Sequence, residues 1–160
     1  MDETCRSEPI VIDRVSEPDE DLLGLLLAGD PSEFAIRRYL NQGLVFVGKT
    51  ADALVAASVL LERDDGIELM NISIRPGYHR KGYGRQMINH LIRFANGNGT
   101  SKLLVGTGNS SVGPLAFYKS LGFQIVGTIE NYFADYDPPI FEDGVRCIDL
   151  IQLEYVFEEL

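Results

Sequence analysis

A strand, a helix and a second strand follow one another in residues 67–108, and this order constrains the fold more than any other feature of the sequence. Residues 67–74 (IELMNISI) and 102–108 (KLLVGTG) are apolar runs of strand length. Between them, residues 82–96 carry apolar side chains at helical spacing. A helix that connects two strands of one sheet makes a right-handed crossover, which predicts that these two strands are parallel.

The flanking segments predict an α/β domain with a mixed sheet. The turn sequences TADA and DDG separate apolar runs by hairpin-length connections, so three strands are predicted to form an antiparallel meander before the crossover. A helix is predicted to open at Asp30, with Asp30 as the cap and Pro31 in the first helical position. Further strands are predicted over residues 10–15, 44–49, 54–62, 123–129 and 145–157, and further helices over 19–28, 30–40 and 113–121. Residues 1–160 are thus expected to form one domain around a central sheet of about six to seven strands.

The overall charge restricts the class of partner. The chain has 24 Asp and Glu against 14 Lys and Arg, which weighs against general nucleic-acid binding because that requires a broad basic surface. Apolar runs such as LLGLLLAG are far shorter than the ~20 residues that span a bilayer. The acidic N-terminus lacks the apolar core of a signal peptide. We therefore expect a cytoplasmic protein that binds neither nucleic acid nor membrane.

A basic, glycine-rich turn stands out against this acidic background. Residues 75–86 (RPGYHRKGYGRQ) contain four Lys and Arg residues and no acid, and they lie between a predicted strand and a predicted helix. Unpaired amides and the positive end of the dipole at a helix N-terminus attract anions, and glycine lets an anion approach the backbone. The turn therefore predicts a phosphate or pyrophosphate site. The alternative is that Gly82 and Gly84 serve only a tight turn with a solvated basic cap.

Two common phosphate-binding motifs do not fit the turn. A dinucleotide-binding fingerprint would require a third glycine at Met87, and would follow the first strand of its unit. The GKT of residues 48–50 lacks the upstream glycines of a P-loop and precedes a strand.

The region instead resembles the signature of the GNAT superfamily of N-acetyltransferases. Residues 67–95 (IELMNISIRPGYHRKGYGRQMINHLIRFA) are similar to its Q/R-x-x-G-x-G/A motif, which lies between the fourth strand and the following helix. The resemblance implies that backbone amides of this loop hold the pyrophosphate of acetyl-CoA. The first motif position is His79 instead of Gln or Arg. The implied cofactor-binding residues of the loop are His79, Arg80, Lys81, Gly82, Tyr83, Gly84 and Arg85.

A second block of sequence resembles the same superfamily. Residues 105–127 (VGTGNSSVGPLAFYKSLGFQIVG) are similar to a strand followed by N-x-x-A-x-x-x-Y-x-x-x-G-F, with Tyr118 at the tyrosine of the pattern. The usual Asn falls on Ser111, and Asn109 lies two residues earlier, so either polar group is a candidate for contact with the pantetheine arm. The resemblance also implies a bulged strand that splays from its parallel neighbour, with the backbone of Ile72, Ser73 and Ile74 along the cofactor.

Acyl transfer to an amine requires loss of a proton from the amine and stabilisation of the leaving thiolate. The resemblance implies that the Tyr118 phenol, which stays protonated at neutral pH, protonates the thiolate. It also matches Glu68 to a catalytic Glu of the histone-acetylating branch. Strand alternation places Glu68 on one face with Met70, Ile72 and Ile74. A carboxyl group among apolar neighbours exchanges its proton closer to neutral pH than one in water, which suits a general base. The alternative for Glu68 is a solvated residue at a strand end.

The acceptor amine is expected at the long acidic and aromatic segment that covers residues 130–144 (ENYFADYDPPIFEDG). Carboxylates and ring faces hold cations, and the candidate residues are Tyr132, Asp135, Asp137 and Glu142. The acceptor is a small-molecule amine or a protein amine, and a homodimer is possible. Cys5 and Cys147 show neither disulfide nor zinc spacing, so no metal is expected.

These patterns predict a single-domain GNAT N-acetyltransferase that uses acetyl-CoA directly, without a covalent enzyme intermediate. Two other classes stay open on the sequence. One is a non-catalytic acyl-CoA-binding sensor or interaction module with the same fold, and the other is a nucleotide-phosphate binder that does not use CoA.

Overall fold

A computed structural model describes residues 8–157 of the chain. Its first half contains β1 (Val11–Val15), α1 (Glu20–Leu26), α2 (Glu33–Leu40), β2 (Leu44–Lys49), β3 (Leu54–Arg63) and β4 (Gly66–Ile74). The second half contains α3 (Tyr83–Gly97), β5 (Lys102–Gly108), α4 (Val112–Ser120), β6 (Gln124–Ile129), β7 (Phe141–Glu142), β8 (Val145–Arg146) and β9 (Leu150–Val156). Cys5 lies outside the described residues.

Seven strands form one mixed sheet in the order β1-β2-β3-β4-β5-β9-β6. All neighbours are antiparallel except β4 and β5, which are parallel and joined through α3. The predicted α/β class, the antiparallel meander and the parallel pair are therefore confirmed. One apolar layer packs α3 against the sheet through side chains such as Met87 and Leu91, and the other packs α1 and α2 through Leu26 and Ile36. Burial of each such side chain contributes about 1.5–3 kcal/mol to folding.

A β-bulge interrupts β4. Val59 pairs with Asn71 and Leu60 pairs with Leu69, so Met70 has no partner on β3. The extra residue reverses the alternation of side chains along the rest of the strand. Met70 packs with the α1 and α2 layer, whereas Ile72 packs with the α3 layer.

The bulge corrects one prediction about Glu68. Glu68 pairs with Leu61, whose side chain belongs to the α1 and α2 layer, so Glu68 shares a face with Met70. Ile72 and Ile74 lie on the opposite face, against the α3 layer. The expected single face of four residues was wrong because a simple period of two cannot register an inserted residue.

The parallel pairing of β4 with β5 stops at the bulge. Only three residue pairs connect the two strands, from Ile67–Leu103 to Leu69–Val105. Beyond Leu69 the strands separate, as expected of a splayed pair. The backbone of the second half of β4 is therefore left without a strand neighbour on that side.

The boundaries near α2 and in the last strand differ from the predictions. Ser32 caps α2, since its Oγ accepts a hydrogen bond from the Ala35 amide at 3.1 Å. Asp30 lies outside the helix and instead accepts from the Ser32 amide at 3.0 Å through its Oδ1. The predicted strand 145–157 is divided into β8 and β9, and β8 pairs with β7 in a separate hairpin.

The position of β9 bears on the possible homodimer. The C-terminal strand β9 lies inside the sheet, between β5 and β6, and so offers no free edge to a second copy. The free edge of this half of the sheet is β6. The homodimer stays a prediction.

Gly29 lies where the chain between α1 and α2 crosses the bulged strand. A Cβ at Gly29 would meet Ser73 Oγ and would lie 2.7 Å from both Asn71 Oδ1 and Ile72 O. We expect Gly29→Ala to lower the free energy of unfolding by about 1–3 kcal/mol through overpacking. Gly24→Ala is the matched control, because Gly24 lies within α1 and has no atom within 4 Å of an added Cβ. It should raise stability by about 0.5–1 kcal/mol. Urea denaturation measures both, and equal effects would contradict the close contact.

Candidate active site

A cleft of about 560 Å³ opens where β4 and β5 separate. Seven segments line it: the connection between α1 and α2, α2 itself, the bulged part of β4, the end of β5, α4, the segment from residue 132 to residue 147, and the start of β9. The site residues predicted from the sequence that line the cleft are Glu68, Ile72, Ser111, Tyr118, Tyr132 and Glu142. Those that lie outside its lining are Ser73, Ile74, residues 79–85, Asn109, Asp135 and Asp137.

The basic turn leads from β4 into the first turn of α3. Gly82 is the N-cap, with φ of 81°, and no side chain caps the helix. The first turn contains no acidic residue, and Arg80 and Lys81 are exposed. The amides of this turn and the adjacent positive charges therefore form an arrangement that suits an anion.

Gly84 distinguishes the anion site from a plain tight turn. Gly77 and Gly82 have positive φ angles, so the backbone itself requires glycine at these two positions. Gly84 has no such φ, and the first atom that an added Cβ would meet is Cζ of Phe117, at 3.7 Å. The turn itself therefore does not require glycine at position 84, and the space over Gly84 suits the approach of a diphosphate.

Tyr118 lies at the wall of the cleft that α4 provides. Only 5% of Tyr118 is exposed, and its ring packs between Phe117 at 5.5 Å and Phe123 at 5.4 Å. Burial raises the pKa of the Tyr118 phenol above its ordinary value, so the hydroxyl remains protonated at neutral pH. Within residues 8–157 the hydroxyl has no hydrogen-bond partner, which leaves it free to donate to a bound molecule.

Glu68 also lines the cleft, and it is already paired. Its Oε1 is 2.8 Å from Nε of Arg63, an ion pair that is partly open to solvent. The neighbours of Glu68 are therefore the Arg63 guanidinium and Met70, in place of the expected row of apolar residues.

The two candidates for pantetheine contact have different positions. Ser111 lines the cleft, and its Oγ donates to Oε1 of Glu142 at 2.7 Å, as Ser110 does at 2.8 Å. Asn109 instead accepts hydrogen bonds from the amides of Ile148 at 2.8 Å and Asp149 at 3.0 Å. Asn109 thus holds the chain between β8 and β9, while Ser111 is available at the cleft.

The acidic and aromatic segment contributes rings more than carboxylates. Tyr132, Phe133 and Tyr136 line the cleft and contact one another edge to face, at 4.8 Å and 5.1 Å between centroids. Burial is the main cause that raises the pKa of Tyr136 to about 12. Asp135 and Asp137 are exposed, and neither lines the cleft.

The polar residues of the lining that were not predicted as site residues include Asp30, Tyr39, Asn71 and Cys147. Asp30 and Tyr39 belong to the connection and helix before the meander, which carry no motif. Asn71 lies beside the bulge, and Cys147 lies at the break before β9. Neither feature was visible as a sequence pattern. The only available signal was the polar Asn71 within an otherwise apolar strand.

The charges of the cleft lining have one sign. Asp30, Glu68 and Glu142 contribute carboxylates, and the lining contains no Lys or Arg among the described residues. Such a cleft attracts cations. In residues 8–157 no group of three or more His, Cys, Asp or Glu side chains is arranged to hold a metal ion, and no helix there combines the length and apolarity needed to cross a membrane.

Comparison with known proteins shows similarity over most of the chain. The sequence model described as "Acetyltransferase (GNAT) family" matches residues 15–123. The chain is 34% identical over 139 residues to a Bacillus subtilis protein named uncharacterized N-acetyltransferase YvbK, and the alignment covers 86% of this chain and 90% of that protein. A solved Bacillus subtilis acetyltransferase in complex with CoA has a TM-score of 0.88 and 32% identity, covering 93% of this chain and 99% of that one. A GNAT family acetyltransferase from Elizabethkingia anophelis with acetyl-CoA bound has a TM-score of 0.87 and 33% identity, covering 94% and 99%.

Proposed function

The chain belongs to the GNAT family and is an acetyl-CoA-dependent N-acetyltransferase, and from this premise we propose that it transfers the acetyl group directly to a primary amine in the cleft. The observation that carries the proposal is the position of the buried Tyr118 phenol on the wall of an acidic cleft that opens between the splayed strands. Residues 1–160 act as one catalytic domain in the cytoplasm.

Binding of acetyl-CoA is assigned to the turn before α3 and to the second half of β4. The amides of residues 79–85 hold the diphosphate, and Arg80 and Lys81 add positive charge from the exposed side. Since β4 has no strand neighbour beyond Leu69, the backbone of Ile72, Ser73 and Ile74 is available to the pantetheine arm. Ser111 is the better placed of the two polar candidates because it lines the cleft.

Acetyl-CoA supplies an activated acyl group as a thioester. The chain's residues then orient the acceptor, remove its proton, and stabilise the charges that form. A backbone N–H near Ile72 donates to the carbonyl oxygen as it becomes an oxyanion. The Tyr118 hydroxyl donates its proton to the sulfur as the carbon–sulfur bond breaks.

The acceptor is a cationic amine. Glu142 and the rings of Tyr132, Phe133 and Tyr136 line the cleft, and both carboxylates and ring faces favour a cation. Asp135 and Asp137 are assigned at most a role in attracting the amine to the entrance, because both are exposed. Small-molecule and protein amines both satisfy this chemistry.

Thermal denaturation with acetyl-CoA, CoA, NAD and ATP tests the cofactor, and thiol release with a panel of amines tests turnover. A ligand at 100 times its Kd adds about 2.7 kcal/mol of stability, so a clear rise in Tm is expected with acetyl-CoA and CoA but not with NAD or ATP. Thiol release that depends on the amine is expected to follow. Stabilisation by acetyl-CoA without thiol release in the presence of any amine would favour the non-catalytic acyl-CoA-binding module. Equal stabilisation by NAD or ATP would favour the nucleotide binder.

A further inference from the structure

Asp30 is a cleft carboxylate that hydrogen bonds hold in a defined position. It is half-buried in the connection between α1 and α2, and it lines the cleft. Its Oδ1 accepts from the Ser32 amide at 3.0 Å, and its Oδ2 accepts from the Tyr39 hydroxyl at 3.2 Å. Both oxygens are therefore oriented, while each keeps further acceptor capacity for a ligand.

Tyr39 connects this carboxylate to the bulged strand. The Tyr39 hydroxyl accepts from Nδ2 of Asn71 at 2.9 Å, and the same Nδ2 donates to the Leu26 carbonyl at 2.9 Å. Ser73 Oγ donates to Oδ1 of Asn71 at 2.7 Å. Asn71 directly follows the unpaired Met70 and directly precedes Ile72. A continuous hydrogen-bonded path thus fixes Asp30 relative to the part of β4 where the acetyl group is proposed to lie.

Glu68, the carboxylate predicted from the sequence, has a different environment. Its ion pair with Arg63 at 2.8 Å must be broken or weakened before it can take a proton. No basic side chain is paired with Asp30 in the described part of the chain. Between Asp30 and Glu68, Asp30 is therefore the carboxylate without a cationic partner in the described residues. Glu142, the third carboxylate of the lining, accepts hydrogen bonds from Ser110 and Ser111 and is assigned to binding of the amine.

We propose that Asp30 accepts the proton that the acceptor ammonium must lose before it attacks. This inference rests on the proposed function. One N–H proton of the ammonium moves to Asp30, and the nitrogen lone pair then attacks the thioester carbon. As the carbon–sulfur bond breaks, Tyr118 gives its proton to the sulfur. The second proton of the nitrogen passes to the Tyr118 oxygen and restores the phenol, and the third stays on the amide. Asp30 returns its proton to solvent.

The groups around Asp30 set the pH at which it acts. The titratable side chains that interact with Asp30 are Tyr39 from α2 and Tyr132 and Tyr136 from the aromatic segment. Glu68, Arg63 and Arg38 act on Tyr132. Burial raises the pKa of Asp30, and the bonds from Ser32 and Tyr39 lower it in part. Because only the ionised carboxylate accepts a proton, activity should fall as pH falls through this raised pKa, at a higher pH than for an ordinary Asp.

Asp30→Asn tests the assignment, with kcat/KM measured against pH for an alkylamine and for a weakly basic amine that is already neutral at pH 7. With the alkylamine at pH 7, kcat/KM should fall by about 100-fold or more. The acidic limb that reports ionisation of Asp30 should disappear from the pH profile. The rate of the variant should instead follow the fraction of the alkylamine that is unprotonated. The neutral amine should lose far less, and the Kd of acetyl-CoA should not change. Asp52→Asn, at an exposed acid in the turn between β2 and β3 and outside the cleft lining, is the matched control.

Tyr39→Phe provides a second variant that keeps the carboxylate. Loss of the hydroxyl removes a bond that lowers the pKa of Asp30, so the acidic limb should move to higher pH. The assignment is overturned if Asp30→Asn keeps the wild-type pH profile, if it slows both amines equally, or if Glu68→Gln removes the acidic limb instead. If wild-type protein releases no thiol with any amine, the proposed function fails, and the role of Asp30 fails with it.

Discussion

Gly84→Glu is expected to abolish binding of acetyl-CoA and CoA while leaving the protein folded. The substitution places a carboxylate in the uncapped first turn of α3, where the diphosphate is proposed to lie. A negative charge at a helix N-terminus is favourable for the helix itself, by about 0.3–1 kcal/mol. The same charge repels the diphosphate and competes for its amides. We expect Kd to rise at least 100-fold, which corresponds to about 2.7 kcal/mol.

Two variants on the same helix separate position from charge. Gly97→Glu introduces the same side chain at the last residue of α3, where an added Cβ meets no atom within 4 Å. It should bind CoA as the wild type does. Gly84→Ala adds only a methyl group, 3.7 Å from the Phe117 ring, and should weaken binding far less than Glu. Calorimetric titration gives the three values of Kd, and wild-type affinity in Gly84→Glu would exclude the turn as the diphosphate site.

Tyr118→Phe is expected to lower kcat by about 100-fold with little change in the Kd of acetyl-CoA. The ring keeps its contacts with Phe117 and Phe123, so the fold should be unaffected. The hydroxyl makes no hydrogen bond to residues 8–157, and its removal therefore leaves no protein partner unsatisfied there. What is lost is the proton donor for the thiolate.

Tyr155→Phe is the matched control for this variant. The Tyr155 ring packs on the same Phe123 at 5.5 Å, but Tyr155 does not line the cleft. Rapid-quench measurement of a single turnover should show slow chemistry only in Tyr118→Phe. Equal loss of rate in both variants, or a parallel loss of cofactor affinity in Tyr118→Phe, would make Tyr118 a packing residue.

The elements that follow from local pattern were predictable from the sequence. Apolar runs bounded by turn residues located the strands of the meander, and the stripe that includes Met87 and Leu91 located α3. Capping was less predictable, because Asp30 and Ser32 are both good N-cap residues and only the fold decides between them. The parallel pair followed from the strand–helix–strand order of residues 67–108, and the family from the glycine-rich turn and the Tyr118 block.

The assembly of the cleft was not predictable in the same way. The bulge depends on the pairing of β4 with β3, and a one-residue change of register sends Ile72 to the other face from Glu68. Likewise, Tyr39 meets Asn71 only because α2 packs on the sheet, at a separation of 32 residues in the sequence. Contacts of this kind depend on tertiary packing, which leaves no local pattern in either segment.

The seam between β4 and β5 has a consequence for the lifetime of the protein. Three residue pairs are all that hydrogen-bond the strands β1 to β4 to the strands β5, β9 and β6, so this seam is the weakest line of pairing across the sheet. A molecule bound between the separated strands contacts both halves and opposes their separation, because a ligand that binds only the folded form stabilises that form. The chain should therefore resist proteases best when it is loaded with its cosubstrate. Its abundance would then rise and fall with the supply of activated acetyl groups.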